Sequence, residues 1–218
     1  MNDTFHSSDG HWGHANISRL AGRPFPHGPD GVEEMNEHLV ERWNATVGPT
    51  DTTWMHGDVA MGRIEESLAY IARLNGTIHL IVGNHDRCWP HYKGYDAAKV
   101  DHWRRRYLDA GFASICDSAT LATEQITTVT PNHAGVLMTH FPYTGESPSH
   151  FEDRYADQRP HDDGGWLIHG HVHEAWRQRG RQINVGVDAW NGRPVSTDEI
   201  AELIAAGPRD LGPLEWVR

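Results

Sequence analysis

Apolar positions fall along this chain in short runs separated by stretches of helical spacing. Thr4 to Ser8 reads as a first strand ending at Asp9. A helix is predicted near Gly13 to Leu20, followed by a loop punctuated by Gly22, Pro24, Pro26, Gly28, Pro29 and Gly31. From Val32 to Val47, the residues Val32, Met35, Leu39, Val40 and Trp43 recur at the period of a helix, which Gly48-Pro49 ends. Thr52 to His56 reads as a strand, Ile64 to Leu74 as an amphipathic helix stopped by Asn75-Gly76, and Thr77 to Val82 as a strand rich in β-branched residues. Ala97 to Ala110 is a predicted helix ending at Gly111. Ser114 to Thr130, rich in Thr, Ile and Val, predicts one or two antiparallel strands. Gly135 to Thr139, Trp166 to Ile168 and Gln182 to Val187 complete the strands. Thr197 to Ala206 is a closing helix, with Thr197 as N-cap and Gly207 as its stop.

Strands and helices alternate in the first half, and strands dominate the second. Neither a purely parallel sheet nor an all-β sandwich has that order. The pattern predicts an α/β protein with two sheets and outer helices. Its 218 residues suit one domain spanning 1–218. Thr144 to Gly165 is long, polar and weak in strand or helix signals, which makes it a candidate lid.

Composition narrows the setting. Hydrophobic residues make up 38% and charged residues 22%, as in ordinary globular proteins. Mean hydropathy is -0.63, and apolar runs such as Ile78 to Val82 are too short to span a bilayer, so no membrane partner is expected. The first residues lack the basic start and apolar run of a cleaved leader, and a cytoplasmic location is expected. Cys88 and Cys116 form no CxxC pair and read as reduced thiols. A formal net charge of -11 argues against an extended nucleic-acid face. It leaves a nucleotide substrate open, because bound divalent cations reverse the local sign. Arg104-Arg105-Arg106 lies in a predicted helix and reads as a solvated face.

Five clusters carry the chemistry: Asp9-Gly10-His11, Gly57-Asp58, Gly83-Asn84-His85-Asp86, His140, and Gly170-His171-Val172-His173. Nearly every one follows a predicted strand. Asp9 and His11, two apart on an extended chain, point the same way and can reach one ion; His171 and His173 repeat that geometry. Asp58 follows a glycine, and its two oxygens can bridge two ions. Asn84 adds a neutral amide oxygen. The seven donors are two carboxylates, one amide and four imidazoles, more than the four of a structural zinc site. The lack of thiolate points to two divalent metal ions among Mn, Fe, Zn, Ni or Co, with positions left for water. The chain holds 17 histidines; many must be incidental surface residues, and only those in the ordered clusters support a functional reading.

In these residues the chain resembles the calcineurin-like metallophosphoesterases, whose pattern is Asp-x-His, Gly-Asp, Gly-Asn-His-Asp/Glu, His, and Gly-His-x-His. The match spans positions 9 to 173. The stretches SSDGHWGHANI, Arg23-Pro24-Phe25, Trp43-Asn44 and Asn184 to Val195 resemble a small bacterial and phage branch. The resemblance implies a four-layer α/β/β/α sandwich of two mixed β-sheets. It implies that Asp9, His11 and His173 hold one metal, that Asn84, His140 and His171 hold the other, and that Asp58 bridges them. Manganese is the favoured metal. His85 would contact the phosphate and act as general acid, with Asn84 also facing substrate, while a metal-bridging hydroxide attacks phosphorus. The function implied is hydrolysis of phosphodiesters in a small phosphoester or nucleotide substrate, 2',3'-cyclic nucleotides among the candidates. Phosphomonoesterase, protein phosphatase or nuclease activity is the alternative, and a non-catalytic scaffold the remote one. Around this set, Asp86 either orients His85 or caps the turn that follows. His14 could reach substrate, while Arg87, Trp89 and Tyr143 could wall the pocket.

Overall fold

The computed structural model of the chain describes residues 2–130, 134–145 and 154–217. The first sheet grows from three parallel strands, β1 (Thr4–Ser7), β2 (Thr52–Met55) and β3 (Thr77–Ile81), with Phe5 opposite Thr53 and Thr53 opposite Ile78. On one edge, β4 (Phe112–Cys116) lies parallel to β3; on the other, β10 (Val195–Ser196) runs antiparallel to β1. The second sheet has the order β11 (Arg209–Leu211), β8 (Gln178–Gly180), β9 (Gln182–Asn184), β7 (Leu167–His169), β6 (Val136–Met138) and β5 (Ala119–Leu121). Its central strands β6, β7 and β9 are parallel and its outer pairings antiparallel. Both sheets are therefore mixed, and helices flank them, as expected.

The helices are α1 (Ile17–Leu20), α2 (Pro29–Thr46), α3 (Ile64–Leu68), α4 (Ala97–Asp109), α5 (Glu124–Val129) and α6 (Thr197–Ala205). β3 shows why the two sheets can stack. Successive side chains on a strand point to opposite faces. Ile78 and Leu80 join a core with Met35, Leu39 and Trp43 of α2, while Ile81 joins Met138, Ile168 and Ile183 of the second sheet. A strand buried on both faces must be apolar at nearly every position, and Thr77 to Val82 reads that way.

Four sequence expectations need correction. Ser114 to Thr130 is not purely strand, because α5 occupies its end. The Thr123 hydroxyl accepts from Ile126 N–H and starts the helix, and Thr128 bonds back to the Glu124 carbonyl at 2.7 Å, which offsets its β-branched composition. The N-cap of α6 is Ser196, one residue earlier than expected: its hydroxyl accepts from Glu199 N–H and the Glu199 carboxylate accepts from Ser196 N–H, a reciprocal capping box. α2 begins at Pro29, inside the predicted loop, where a proline suits the first helical turn. Ile64 to Leu74 breaks after Leu68 and resumes as a single 3-10 turn at Ile71–Arg73. Of the candidate lid, residues 146–153 lie outside the described residues. Among the described residues no helix is long and apolar enough to cross a membrane.

Many of the histidines outside the clusters are expected on the surface, but His6, His56 and His169 are buried. His56 Nδ1 lies 3.2 Å from the Thr139 carbonyl, His6 Nδ1 lies 3.3 Å from His56 Nε2, and His6 Nε2 lies 3.2 Å from the Thr197 hydroxyl. The first of these bonds crosses from the end of β2 to the end of β6 and ties the two sheets together; the second joins β1 to the end of β2, and the third joins β1 to α6. Burial holds the His6 imidazole well below 6.5 and pulls His56 down to about 4. The folded chain thus keeps both neutral where the unfolded chain would protonate them. The contribution of these two histidines to stability is full above about pH 6.5 and should fall as pH drops towards 4, by about 1.4 kcal/mol per pH unit for each. Thermal melts across that range check this, and His56→Gln should flatten the slope. A midpoint that is level or rises on acidification would contradict it.

Candidate metal centre

All five clusters sit at the carboxyl ends of strands: Asp9 after β1, Asp58 after β2, Asn84 after β3, His140 after β6 and His171 after β7. Parallel strands within each sheet put these ends on one side. The loops then continue the pairing: Asp9 N–H bonds to the Gly57 carbonyl at 3.0 Å, His11 N–H to Asp58 at 3.1 Å, and Gly170 N–H to His140 at 3.0 Å. Val187 N–H reaches the Ser8 carbonyl at 3.0 Å and joins the second sheet to the first. The five segments around Asp9, Asp58, His140, Gly170 and Val187 are thereby brought to one place.

Two groups of donors result. Asp9, His11 and His173 present ligand atoms within 4.8 Å of one another, and so do Asp58, His140 and His171. Asp58 Oδ2 lies between them, 3.6 Å from His11 Nε2 and 3.5 Å from His140 Nε2. His140 Nε2 is also 3.1 Å from Asn84 Oδ1 and 3.2 Å from His171 Nδ1, so Asn84 joins the second group. His140 Nδ1 donates to the His56 carbonyl at 2.7 Å, which leaves Nε2 to face the group. His85 stands beside the first group, its ring 5.3 Å from that of His11, and its backbone N–H holds Asp58 Oδ1 at 2.9 Å.

The backbone at these positions is unusual. Asp9, His11, Asp58, His171 and His173 all have positive φ, between 49° and 73°. That conformation costs an L-residue on the order of 1 kcal/mol, and it persists only where surrounding structure enforces it. The glycines of the motifs answer a related need for space. Gly57 has φ 85°, and a Cβ there would run into Gly83 N and come within 2.8 Å of His140 Nδ1. A Cβ on Gly170 would collide with the Ser8 hydroxyl and lie 2.6 Å from Asp9 Oδ2.

The donor set fits cations. Asp9 Oδ1 and both ring nitrogens of His11 are buried with no hydrogen-bond partner among the described residues. Groups of this kind are costly to bury unless something binds them. The electrostatics agree. Burial raises the Asp58 carboxyl, but the imidazoles of His140, His85 and His11 outweigh it and hold it well below its ordinary range. Burial lowers His140, and the carboxylates of Asp58 and Asp9 outweigh that and raise it to about 9. The two carboxylates draw positive charge into the space between the groups. With two aspartates, one amide, four imidazoles and no sulfur, the residues suit divalent transition ions.

No family model matches the chain. The gene 66 protein of Mycobacterium phage L5 is 36% identical over 213 residues, covering 94% of this chain and 95% of that protein. This chain belongs to the family of the mycobacteriophage gene 66 proteins. The gene 66 protein of Mycobacterium phage D29 is 33% identical over 211 residues, covering 94% of this chain and 96% of its own length. A solved structure, that of a protein of unknown function from Aquifex aeolicus, superposes with a TM-score of 0.62 at 22% identity, over 93% of this chain and 100% of that one. It shares the fold.

In this gene 66 family chain, the softer candidates separate. His14 lies at the rim, its ring 5.6 Å from His11. Trp89 and Tyr155 pack around Phe141, which lies against the His171 ring at 4.9 Å. Tyr143 is buried beside Gln182, which accepts its backbone N–H. Arg87 is no pocket wall: its guanidinium stacks on Trp103 of α4 and reaches the Tyr95 hydroxyl. In the basic run, Arg104 bonds the Ile115 carbonyl and Arg106 pairs with Glu65. Cys88 is buried and free.

Sequence reasoning missed Arg23 and Asp188 as parts of the site. Asp188 accepts from His173 Nδ1 at 2.8 Å, and Arg23 holds both Asp188 and the Asp9 carbonyl. A signal for Asp188 was present, since it follows β9 and Gly186 much as Asp58 follows β2 and Gly57. Asp86 takes neither of its expected roles. Its carboxylate accepts from Asp58 N–H at 2.9 Å, Val59 N–H at 3.0 Å and Gly83 N–H at 2.8 Å, and from the Tyr107 hydroxyl. It clamps the loop after β2 to the loop after β3. Asp86→Ala would leave three buried N–H groups unpaired, and unfolding in urea should show a loss of about 3 kcal/mol or more. A loss within 0.5 kcal/mol (roughly that of an ordinary surface change) would contradict the clamp.

Proposed function

We propose that this chain is a metal-dependent phosphoesterase of the calcineurin-like kind, cleaving phosphodiesters in compact nucleotide substrates with two divalent ions. One observation supports the reading most: Asp58, a member of the second donor group, has its Oδ2 3.5 Å from His140 Nε2 of its own group and 3.6 Å from His11 Nε2 of the first. A carboxylate oxygen placed there suits a shared ligand, and a shared ligand implies a pair of ions. Asp9, His11 and His173 would hold one ion, and Asn84, His140 and His171 the other, with manganese the favoured metal. When bound, such ions supply Lewis acidity, lowering the pKa of water and opposing the charge that develops on phosphoryl oxygens.

The chain's own residues supply the rest. The loops after β1, β2, β3, β6 and β7 fix the donors before substrate arrives, so little reorganisation is needed. His85 is only partly buried and lies beside His11, open to a cleft of about 580 Å³ whose walls include Trp89, Tyr92, Lys93 and Tyr155. From there its imidazole contacts the phosphate and donates a proton to the departing oxygen. The cleft is large enough for a nucleoside and offers aromatic faces for a base. The net charge of -11 disfavours a long nucleic acid, which needs many cationic contacts.

The test is a panel with Mn: an aryl monoester, an aryl diester, 2',3'-cyclic and 3',5'-cyclic nucleotides, and single-stranded nucleic acid. The diesters and cyclic nucleotides should turn over fastest. Dominant monoester or nucleic-acid cleavage would move the substrate to the phosphatase or nuclease alternatives, and no hydrolysis of any member would sink the enzyme reading in favour of a scaffold. Asp58→Ala and His140→Ala should each remove most turnover. His85→Ala should slow substrates with poor leaving groups far more than those with good ones, by on the order of 100-fold against little change. Equal losses on both would remove His85 as the acid.

A further inference from the structure

The guanidinium of Arg23 and the carboxylate of Asp188 are both 0% exposed. Arg23 Nε donates to Asp188 Oδ1 at 2.7 Å and Nη2 to Oδ2 at 3.0 Å, a two-pronged pair. Nη2 also donates to the Asp9 carbonyl at 2.6 Å, and Nη1 to the Gly10 carbonyl at 2.8 Å. Asp188 Oδ2 in turn accepts from His173 Nδ1 at 2.8 Å. One buried ion pair thus fastens the loop after β1, which carries Asp9 and His11, to the loop after β7, which carries His173.

Stability alone explains such a pair poorly, since well-packed apolar residues often serve as well in the same volume. What the pair does supply is geometry. With Nδ1 committed to Asp188, His173 keeps only Nε2 to offer to a cation. With its carbonyl held by Arg23, Asp9 keeps the left-handed backbone that aims its carboxylate into the site. The second donor group has other supports: Asp86 holds the Asp58 loop, and the His56 carbonyl holds His140. None of Arg23's hydrogen bonds reaches that group. The links printed between the halves, His171 N–H to Asp9 Oδ2 at 2.9 Å, His11 N–H to the Asp58 carbonyl at 3.1 Å, Asp9 N–H to the Gly57 carbonyl at 3.0 Å and the Asp58 carboxylate 3.6 Å from His11 Nε2, do not pass through Arg23 or Asp188.

We propose that Arg23 and Asp188 are positioning residues that set the ion affinity of the Asp9, His11 and His173 group while leaving the Asp58, His140 and His171 group nearly untouched. This rests on the two-ion reading above. Calorimetric titration of metal-free protein with Mn2+ tests it. The wild-type chain should show two binding steps. Asp188→Asn and Arg23→Lys, which keep size or charge but lose the fork, should weaken one step by about 10- to 100-fold and the other by less than about threefold. Raising Mn2+ should then restore turnover in both variants. Equal weakening of both steps, or no change in either, overturns the proposal while leaving two-ion binding intact. A wild-type chain that binds no Mn2+ removes the two-ion reading and this proposal together. Melting curves report folding: one folded variant suffices for the titration, and failure of both to fold would make the pair general scaffold and overturn its selectivity.

Discussion

Polar donors buried where two sheets meet must find partners, and most of this structure answers that requirement. Asp9, His11, Asp58, His140 and His171 are nearly withdrawn from water. Each has lost hydration that only hydrogen bonds or cations can replace. The backbone ladder that runs past the strand ends satisfies the N–H and C=O groups around them, which frees the side chains to face one another. Left-handed backbone at five of the donors is what that convergence requires, and the glycines of the motifs make room for it.

Rigid supports hold the arrangement. Asp86 gathers three N–H groups from two loops, and Arg23 with Asp188 gathers two carbonyls and an imidazole. The Arg23–Asp188 pair buries charge at a cost, and burial together with the Asp58 carboxylate pushes the Asp86 carboxyl up to about 7. β3 packs Leu80 towards α2 and Ile81 towards the second sheet, so the strand that delivers Asn84 is fixed on both faces. The bond from His56 to the Thr139 carbonyl then joins the sheets from within. The donors sit on loops, and the resistance to movement comes from the layers beneath.

Much of this was legible in the sequence because the strongest signals are local. A β-branched run before Gly83-Asn84 can only be a strand end, and five such ends with nitrogen and oxygen donors define a common site. The mixed, two-sheet architecture followed from the change in pattern between the halves. What escaped was non-local or locally contradictory. β8 and β11 are short polar strands whose pairing with each other is their main strand signal. α5 carries a strand-like composition, and its Thr123 cap decides otherwise. Asp86 looked like a neighbour of His85 in the chain but is spent on backbone across two loops. Arg23 and Asp188 lie 165 positions apart, and no spacing rule connects them. His6 on β1, His56 after β2 and His169 at the end of β7 look like surface histidines in the sequence, and only the packing of the layers buries them.

In the proposed function the two donor groups form one dinuclear centre joined by Asp58. Anomalous diffraction from crystals of the Mn2+-loaded protein tests it most directly. Two peaks are expected, one among Asp9, His11 and His173 and one among Asn84, His140 and His171, with an Asp58 oxygen within coordinating distance of both. A single peak, or peaks that leave Asp58 uncoordinated, would contradict the account.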